Sequence, residues 1–372
     1  MIRSTVARVD LAALQSNFRA IREFLGGPEG GGPAIIAVVK ANAYGHGAER
    51  VAQALEQAGA TMLACADIEE GIVLRRSGVT MPILVFGALS VSDLDGLFEY
   101  ALTPTISTPS AARAVQAAAA RRGIVCGYHL KIDTGMNRLG FRFDNLGRML
   151  PALLNSDHLR LEAAYTHFAT ADIPEHPLFG EQRSRFEAAV ASAGLRVPCH
   201  AANSAALLRD ARIWYDAVRP GLLLYGIVPP PLASTIPLRP VMSLTSRVVA
   251  VKGLRPGEAV GYGSRYVADT PRSIAVVPAG YADGLDTRLS GRGVVLIRGR
   301  RVPIVGAVSM DMMTVDVSEL EDVQPGDEVV LLGRQGDESW QQIDAREMAA
   351  WIGTIPWEIV CRLGTRIERH YE

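Results

Sequence analysis

Aromatic side chains make up only 6% of the 372 residues, and there are four cysteines. Neither charge sign forms a long block. Each shortage excludes something. Lys and Arg number 38 against 39 Asp and Glu, a net charge of -1. That balance leaves no global basic face for nucleic acid and no charged tail. No apolar stretch approaches the roughly 20 residues that span a bilayer. Neither nucleic acid nor a membrane is therefore expected as a partner. Cys65, Cys126, Cys199 and Cys361 form no CxxC pair and no zinc-like spacing. Each sits in an apolar segment and is expected to be a buried, reduced thiol in a reducing compartment. The segment from Met1 to Asp10 lacks the apolar core of a secretory leader. A cytoplasmic enzyme is expected, and a leader already removed stays open.

Hydrophobic residues reach 48% and charged residues 21%, which excludes wholesale disorder. The length suggests two or three domains at about 150 residues each. Before Tyr225, short apolar runs alternate with helical patterns. The runs are Ala34–Ala41, Met62–Asp67, Pro82–Gly87, Thr103–Ser107, Val125–Asp133, Leu159–Phe168, Arg196–Asn203 and Ala217–Gly221. Between them, Val51, Ala54, Leu55 and Ala58 share one helical face, as do Phe186, Ala189, Val190 and Ala193. Such alternation predicts a parallel sheet. Eight units of this size predict an α/β fold, a (β/α)8 TIM-type barrel over residues 1–230. An open doubly wound sheet is the alternative, weakened by the lack of a Gly-rich fingerprint after the first strand. Val228–Leu232, with three prolines, reads as a linker. Beyond it, β-branched runs at Ser243–Leu254, Ser273–Pro278, Gly293–Ile297 and Glu328–Leu332 predict a mostly β domain over residues 231–372. One helix near Asp344–Ile352 interrupts it.

The end of the first barrel run carries the strongest chemical signal. Ala34–Val39 terminates in Lys40, and active sites in such barrels lie at the C-terminal ends of strands. A desolvated lysine there can act as Schiff-base nucleophile or general base. A lysine snorkelling at the rim fits the same position. The full string Val38-Val39-Lys40-Ala41-Asn42-Ala43-Tyr44-Gly45-His46-Gly47 resembles the pyridoxal-phosphate signature of the alanine racemase family. The resemblance extends over nearly the whole chain. It implies a barrel followed by a β domain, with Lys40 holding pyridoxal 5'-phosphate covalently and Tyr44 contacting its phosphate.

Further segments carry the resemblance residue by residue. In His129–Gly140 it implies that Arg138 binds the substrate carboxylate, a role that suits a bidentate guanidinium. Many members carbamylate the lysine equivalent to Lys131, which then supports that arginine. His167, in Tyr165–Phe168, corresponds to a supporting histidine between the ring-facing arginine and the catalytic tyrosine; alone, it would read as a core residue. Ser204, Gly221 and Leu222 would bind the phosphate, although Ser204 alone reads equally as a helix N-cap. Arg219 corresponds to the arginine facing the pyridine nitrogen. Gly-flanked Tyr262 corresponds to the second acid/base, supplied by the partner subunit. Tyr281 falls in the entrance region, and Met310 with Asp311 enter the partner's site. Near the C-terminus, Thr365 falls where many relatives carry a phosphate-contacting tyrosine.

The resemblance therefore implies an isomerase, an alanine racemase, working on a small amino acid as a homodimer with shared active sites. Its product would be D-alanine, a peptidoglycan precursor, or its substrate in catabolism. A racemase for another small amino acid such as serine is the nearest rival. A barrel-fold decarboxylase and a single-barrel cofactor carrier fit less well. No metal is expected.

Overall fold

The computed structural model describes residues 4–27, 30–89, 93–336 and 340–372. The glycine-rich loop Gly26–Pro33 is thus described except at 28 and 29. The described residues form two compact units. One lies within Leu14–Ala43 and Ala48–Leu238, and the other within 4–13, Tyr44–Gly47 and Arg239–Glu372.

The larger unit is a closed barrel of eight parallel strands. Each expected run contains one: Ala34–Val38, Met62–Cys65, Ile83–Val85, Thr103–Ile106, Cys126–Asp133, Leu159–Tyr165, Cys199–Asn203 and Ala217–Arg219. Neighbours pair in chain order, and Ala217 pairs with Ala34 to close the ring. The strands are buried on both faces, which is why they read as continuous apolar runs rather than alternating ones. Helices are started by local signals. Asp67 accepts the Glu70 N–H (2.8 Å) before Ile68–Arg76, and Thr108 accepts the Ala111 N–H (3.1 Å) before Pro109–Arg121. Pro109 opens the latter helix, where its missing N–H costs nothing.

The smaller unit is a mostly antiparallel sheet. Its strand order runs Ala250–Leu254, Arg272–Val277, Met313–Asp316, Arg300–Val305, Val294–Ile297, Glu328–Gln335, Met242–Arg247, Val6–Val9 and Glu368–Tyr371. Helix Ala345–Ile352 follows its N-cap Asp344, as the sequence predicts. The strand Val6–Val9 departs from the expected division. Its residues do not join the barrel but insert between Met242–Arg247, antiparallel, and Glu368–Tyr371, parallel. The reason is the inward face formed by Ala7 and Val9, both fully buried, with Arg8 pointing out to Glu372. Cys361 also departs from expectation: it is exposed, while Cys65 and Cys126 are buried.

Val9→Ala removes two buried methyl groups from this inserted strand and should cost about 2 kcal/mol of stability. Arg8→Ala, which removes an exposed ion pair, should cost less than about 1 kcal/mol. Denaturant midpoints of the two variants check the contrast.

Candidate active site

A polar layer occupies the barrel interior. Period-two alternation puts His129 and Lys131 on one face of Cys126–Asp133, with Lys131 opposite Tyr165 and Tyr165 opposite His200 in register. Arg219, only 3% exposed, ends the last strand. Its Nη2 donates to the carbonyls of Thr166 (2.8 Å) and Ala201 (2.9 Å), and its Nη1 lies 2.7 Å from His200 Nδ1. A guanidinium only donates, so His200 Nδ1 accepts. The proton of neutral His200 is then on Nε2, which donates to His129 Nδ1 at 3.0 Å. Both imidazoles are fixed as Nε2–H tautomers. Burial and then the Arg219 charge lower the His129 pKa to about 4. The same two causes, in the same order, hold His200 well below the ordinary histidine value. Burial brings Arg219 itself down to about 10, so it stays charged at neutral pH. Tyr165 stacks on His200 at 4.6 Å and shares a 3.0 Å hydrogen bond with Thr105. Burial raises its phenol to about 12.

Lys131, Arg138 and Lys40 share this neighbourhood. The Lys131 Nζ lies 4.5 Å from the Tyr165 ring centroid. Burial, then Arg219, Arg138 and Lys40, push its pKa far below the lysine range against the opposing pull of Asp133. His167 is lowered strongly by burial, then Lys131, Arg219, Arg138 and Lys40. Arg219 Nη2 lies 3.4 Å from its Nδ1. Arg138 is exposed on the loop after the fifth strand. Lys40, Lys131, Arg138, His167 and Arg219 are thus brought together. A site with this charge balance suits an anionic ligand.

Lys40 opens an unusual turn. Ala41, Asn42 and Ala43 sit near φ 53°, ψ 50°, and Tyr44 has φ 52°, giving four consecutive non-glycine residues in the left-handed region. Each costs roughly 1–2 kcal/mol relative to the right-handed form. Hydrogen bonds hold the turn. Ala43 N–H donates to the Val39 carbonyl (2.8 Å), Ala41 N–H to Glu70 (2.7 Å), and Ala48 N–H to Asn42 (2.7 Å). Burial, and secondarily nearby Cys361, pushes the Tyr44 phenol far above its ordinary value. Next in the ring, after the seventh and eighth strands, Ser204 Oγ accepts the N–H groups of Gly221 (3.0 Å) and Leu223 (3.4 Å). Leu222 between them is buried. Ser204 is not a helix N-cap: Asn203 fills that role, accepting the Ala206 N–H at 2.9 Å.

The smaller unit presents the remaining candidates on tight loops. Gly261 (φ 70°) and Gly263 (φ 72°) flank Tyr262, which is 79% exposed. A Cβ on Gly280 would meet the Ser309 carbonyl oxygen at 2.3 Å, so the loop carrying Tyr281 packs directly on the 309–311 loop. Tyr281 N–H donates to Ser309 and Ala282 N–H to Met310, both at 3.0 Å. Met310 is 52% exposed, and Asp311 accepts from Arg366 at 2.7 Å. Thr365 is exposed.

Profiles of the alanine racemase N-terminal and C-terminal domains match residues 9–229 and 241–371. An alanine racemase of Symbiobacterium thermophilum is 42% identical, over all of this chain and 97% of its own. The chain belongs to the alanine racemase family. The structure of an alanine racemase from Streptomyces coelicolor A3(2) overlays with a TM-score of 0.92 at 36% identity, covering 99% of this chain and 98% of that one. The family member from Bartonella henselae, solved with covalently bound pyridoxal phosphate, overlays at 0.87 with 28% identity and 99% of both chains covered. The family fold, a TIM-type barrel with a mostly β second part, is the one observed. Sequence reasoning missed His129, His200, Tyr165 and Glu70. Two-residue spacing from Lys131 marks His129 as sharing its face, whereas Tyr165 and His200 join that layer through strand register, which the sequence does not display.

His129, His167 and His200 stay neutral when folded but protonate in the unfolded chain near pH 6.5. The unfolded state then binds more protons, so stability is full above that pH. It falls as pH drops toward about 4, by up to roughly 1.4 kcal/mol per pH unit for each histidine. His129→Gln should flatten this decline, read from denaturant midpoints of the cofactor-free protein at neutral and acid pH.

Proposed function

We propose that the chain is a pyridoxal-phosphate-dependent racemase interconverting L- and D-alanine. Its two proton-moving groups would be Lys40 and Tyr262 of the partner subunit. The observation that carries the reading is the gathering of Lys40, Lys131, Arg138 and Arg219 at the strand ends of an alanine racemase barrel.

The residues present fit the cofactor. Arg219 is buried and its Nη atoms are held by two carbonyls and an imidazole, a fixed donor of the kind that suits a ring nitrogen. Lys40 would hold the cofactor covalently. Tyr44, Ser204, Gly221 and Leu222 would surround its phosphate, and His167 would support Arg219 from the side. When bound, pyridoxal phosphate supplies the electron withdrawal that makes the Cα proton removable. Lys40 would remove or return that proton on one face, and Tyr262 of the partner subunit on the other. Arg138, with Met310 and Asp311 of the partner subunit, would bind the substrate. Arg219 donates a hydrogen bond but keeps its proton. That restrains electron withdrawal and favours return of the proton to carbon over transamination. Burial, then Arg219, lowers the Lys131 pKa, which favours the neutral amine that adds carbon dioxide. A carbamate there would set an anion among Arg138 and Arg219.

The homodimer reading is supported by the smaller unit. Tyr262, Tyr281, Met310 and Met312 are large, exposed side chains on rigidly bonded loops of residues 231–372, a surface suited to burial by a second copy. No described helix is long and apolar enough to cross a membrane. The four free cysteines fit a reducing cytoplasm.

Lys40→Ala should abolish racemisation in both directions. Tyr262→Phe should slow the L-to-D direction by about 100- to 10,000-fold and the reverse direction far less. Chiral chromatography from each enantiomer measures both, and equal, mild losses from Tyr262→Phe would contradict the two-base assignment.

A further inference from the structure

The strained turn after Lys40 needs an anchor, and one side chain supplies it from the next βα unit. Glu70 lies in the first turn of helix Ile68–Arg76, its own N–H capped by Asp67. Its carboxylate reaches back to two loops. Oε1 accepts the Ala41 N–H at 2.7 Å, and Oε2 accepts the Ala66 N–H at 2.7 Å. Ala41 follows the first barrel strand by way of Lys40, and Ala66 follows the second strand, Met62–Cys65. The Ala41 N–H belongs to the peptide plane that joins it to Lys40. Fixing that plane therefore fixes where the Lys40 Cα presents its side chain.

We propose that Glu70 is a positioning residue for Lys40: its carboxylate clamps the Lys40–Ala41 peptide to the loop after the neighbouring strand and holds the left-handed turn in place. A carboxylate is suited to this because it accepts at both oxygens, and charge-assisted bonds to backbone N–H groups are the strong kind. Glutamine cannot replace it, because one arm of the amide would point a donor at a donor. The assignment rests on the reading of Lys40 as the cofactor lysine.

The test uses the full chain as Glu70→Gln, Glu70→Gln with Ala41→Gly, and the exposed neighbour Glu69→Gln as control. The readouts are the rate at which added pyridoxal phosphate develops visible absorbance on cofactor-free protein, the thermal midpoint, and the split of kcat and KM for alanine. Glu70→Gln should slow cofactor attachment about 10-fold or more and lower kcat by about 10- to 100-fold, with KM within about twofold. Glu69→Gln should match the unsubstituted protein. Glycine adopts positive φ without penalty, so Ala41→Gly should recover several-fold of the Glu70→Gln loss. That rescue also keeps the test decisive if Glu70→Gln alone folds poorly. A Glu70→Gln protein that attaches cofactor and turns over like the unsubstituted one overturns the assignment of Glu70 alone. So does a loss that Ala41→Gly does not relieve. Unsubstituted protein that attaches no pyridoxal phosphate overturns the reading of Lys40 and this assignment with it.

Discussion

A permanent cation buried at the end of the last barrel strand governs the polar interior of this protein. Among the described residues, Arg219 touches no carboxylate. Two backbone carbonyls and one imidazole nitrogen take its protons instead. Burying a charge is tolerable only when its donors are satisfied, and here that condition dictates the state of its neighbours. His200 must accept, His129 must accept from His200, and neither can become an imidazolium without placing a second cation beside the first. The same field, after burial itself, holds Lys131 toward the neutral amine. The combination of burial and this charge sets the chemistry of the site. It favours anions, keeps the imidazoles neutral, and presents a donor that cannot surrender its proton.

A second device sits at the end of the adjoining strand, at Lys40. Alanine has no intrinsic reason to adopt a left-handed conformation, and two alanines do so beside Asn42 and Tyr44. Conformations of this kind persist where surrounding contacts over-determine them, and they gather at functional sites. Glu70 and Asn42 provide such contacts from within the barrel. The smaller unit treats its exposed tyrosines in a related manner. Glycines flank Tyr262 where φ is positive, and Gly280 admits a carbonyl oxygen that no side chain would tolerate. Both arrangements hold a side chain through the backbone beside it.

Much of this was legible in the sequence. The eight barrel strands follow from apolar runs separated by helical patterns, because buried parallel strands have little choice of composition. Lys40 was legible because it ends such a run. Other features depend on contacts between residues distant in sequence. Val6–Val9 is too short to declare its partners, which lie more than 230 residues away. His129 and His200 sit singly on apolar strands, so nothing local separates a functional histidine from a core one. The left-handed turn is invisible at Ala41 and Ala43, since its stability comes from Glu70 in the next unit. Cys361 looked buried because its neighbours are apolar, yet it occupies the last turn of Pro356–Cys361 and faces out.

The most direct measurement loads the unsubstituted protein with pyridoxal phosphate and supplies L-alanine and D-alanine in separate reactions, following both enantiomers and any keto acid. An arginine that keeps its proton predicts that both reactions converge on equal amounts of the two enantiomers, with no keto acid accumulating. Alanine that remains in its starting form on cofactor-loaded protein, or keto acid formed at a rate comparable to racemisation, would contradict the account.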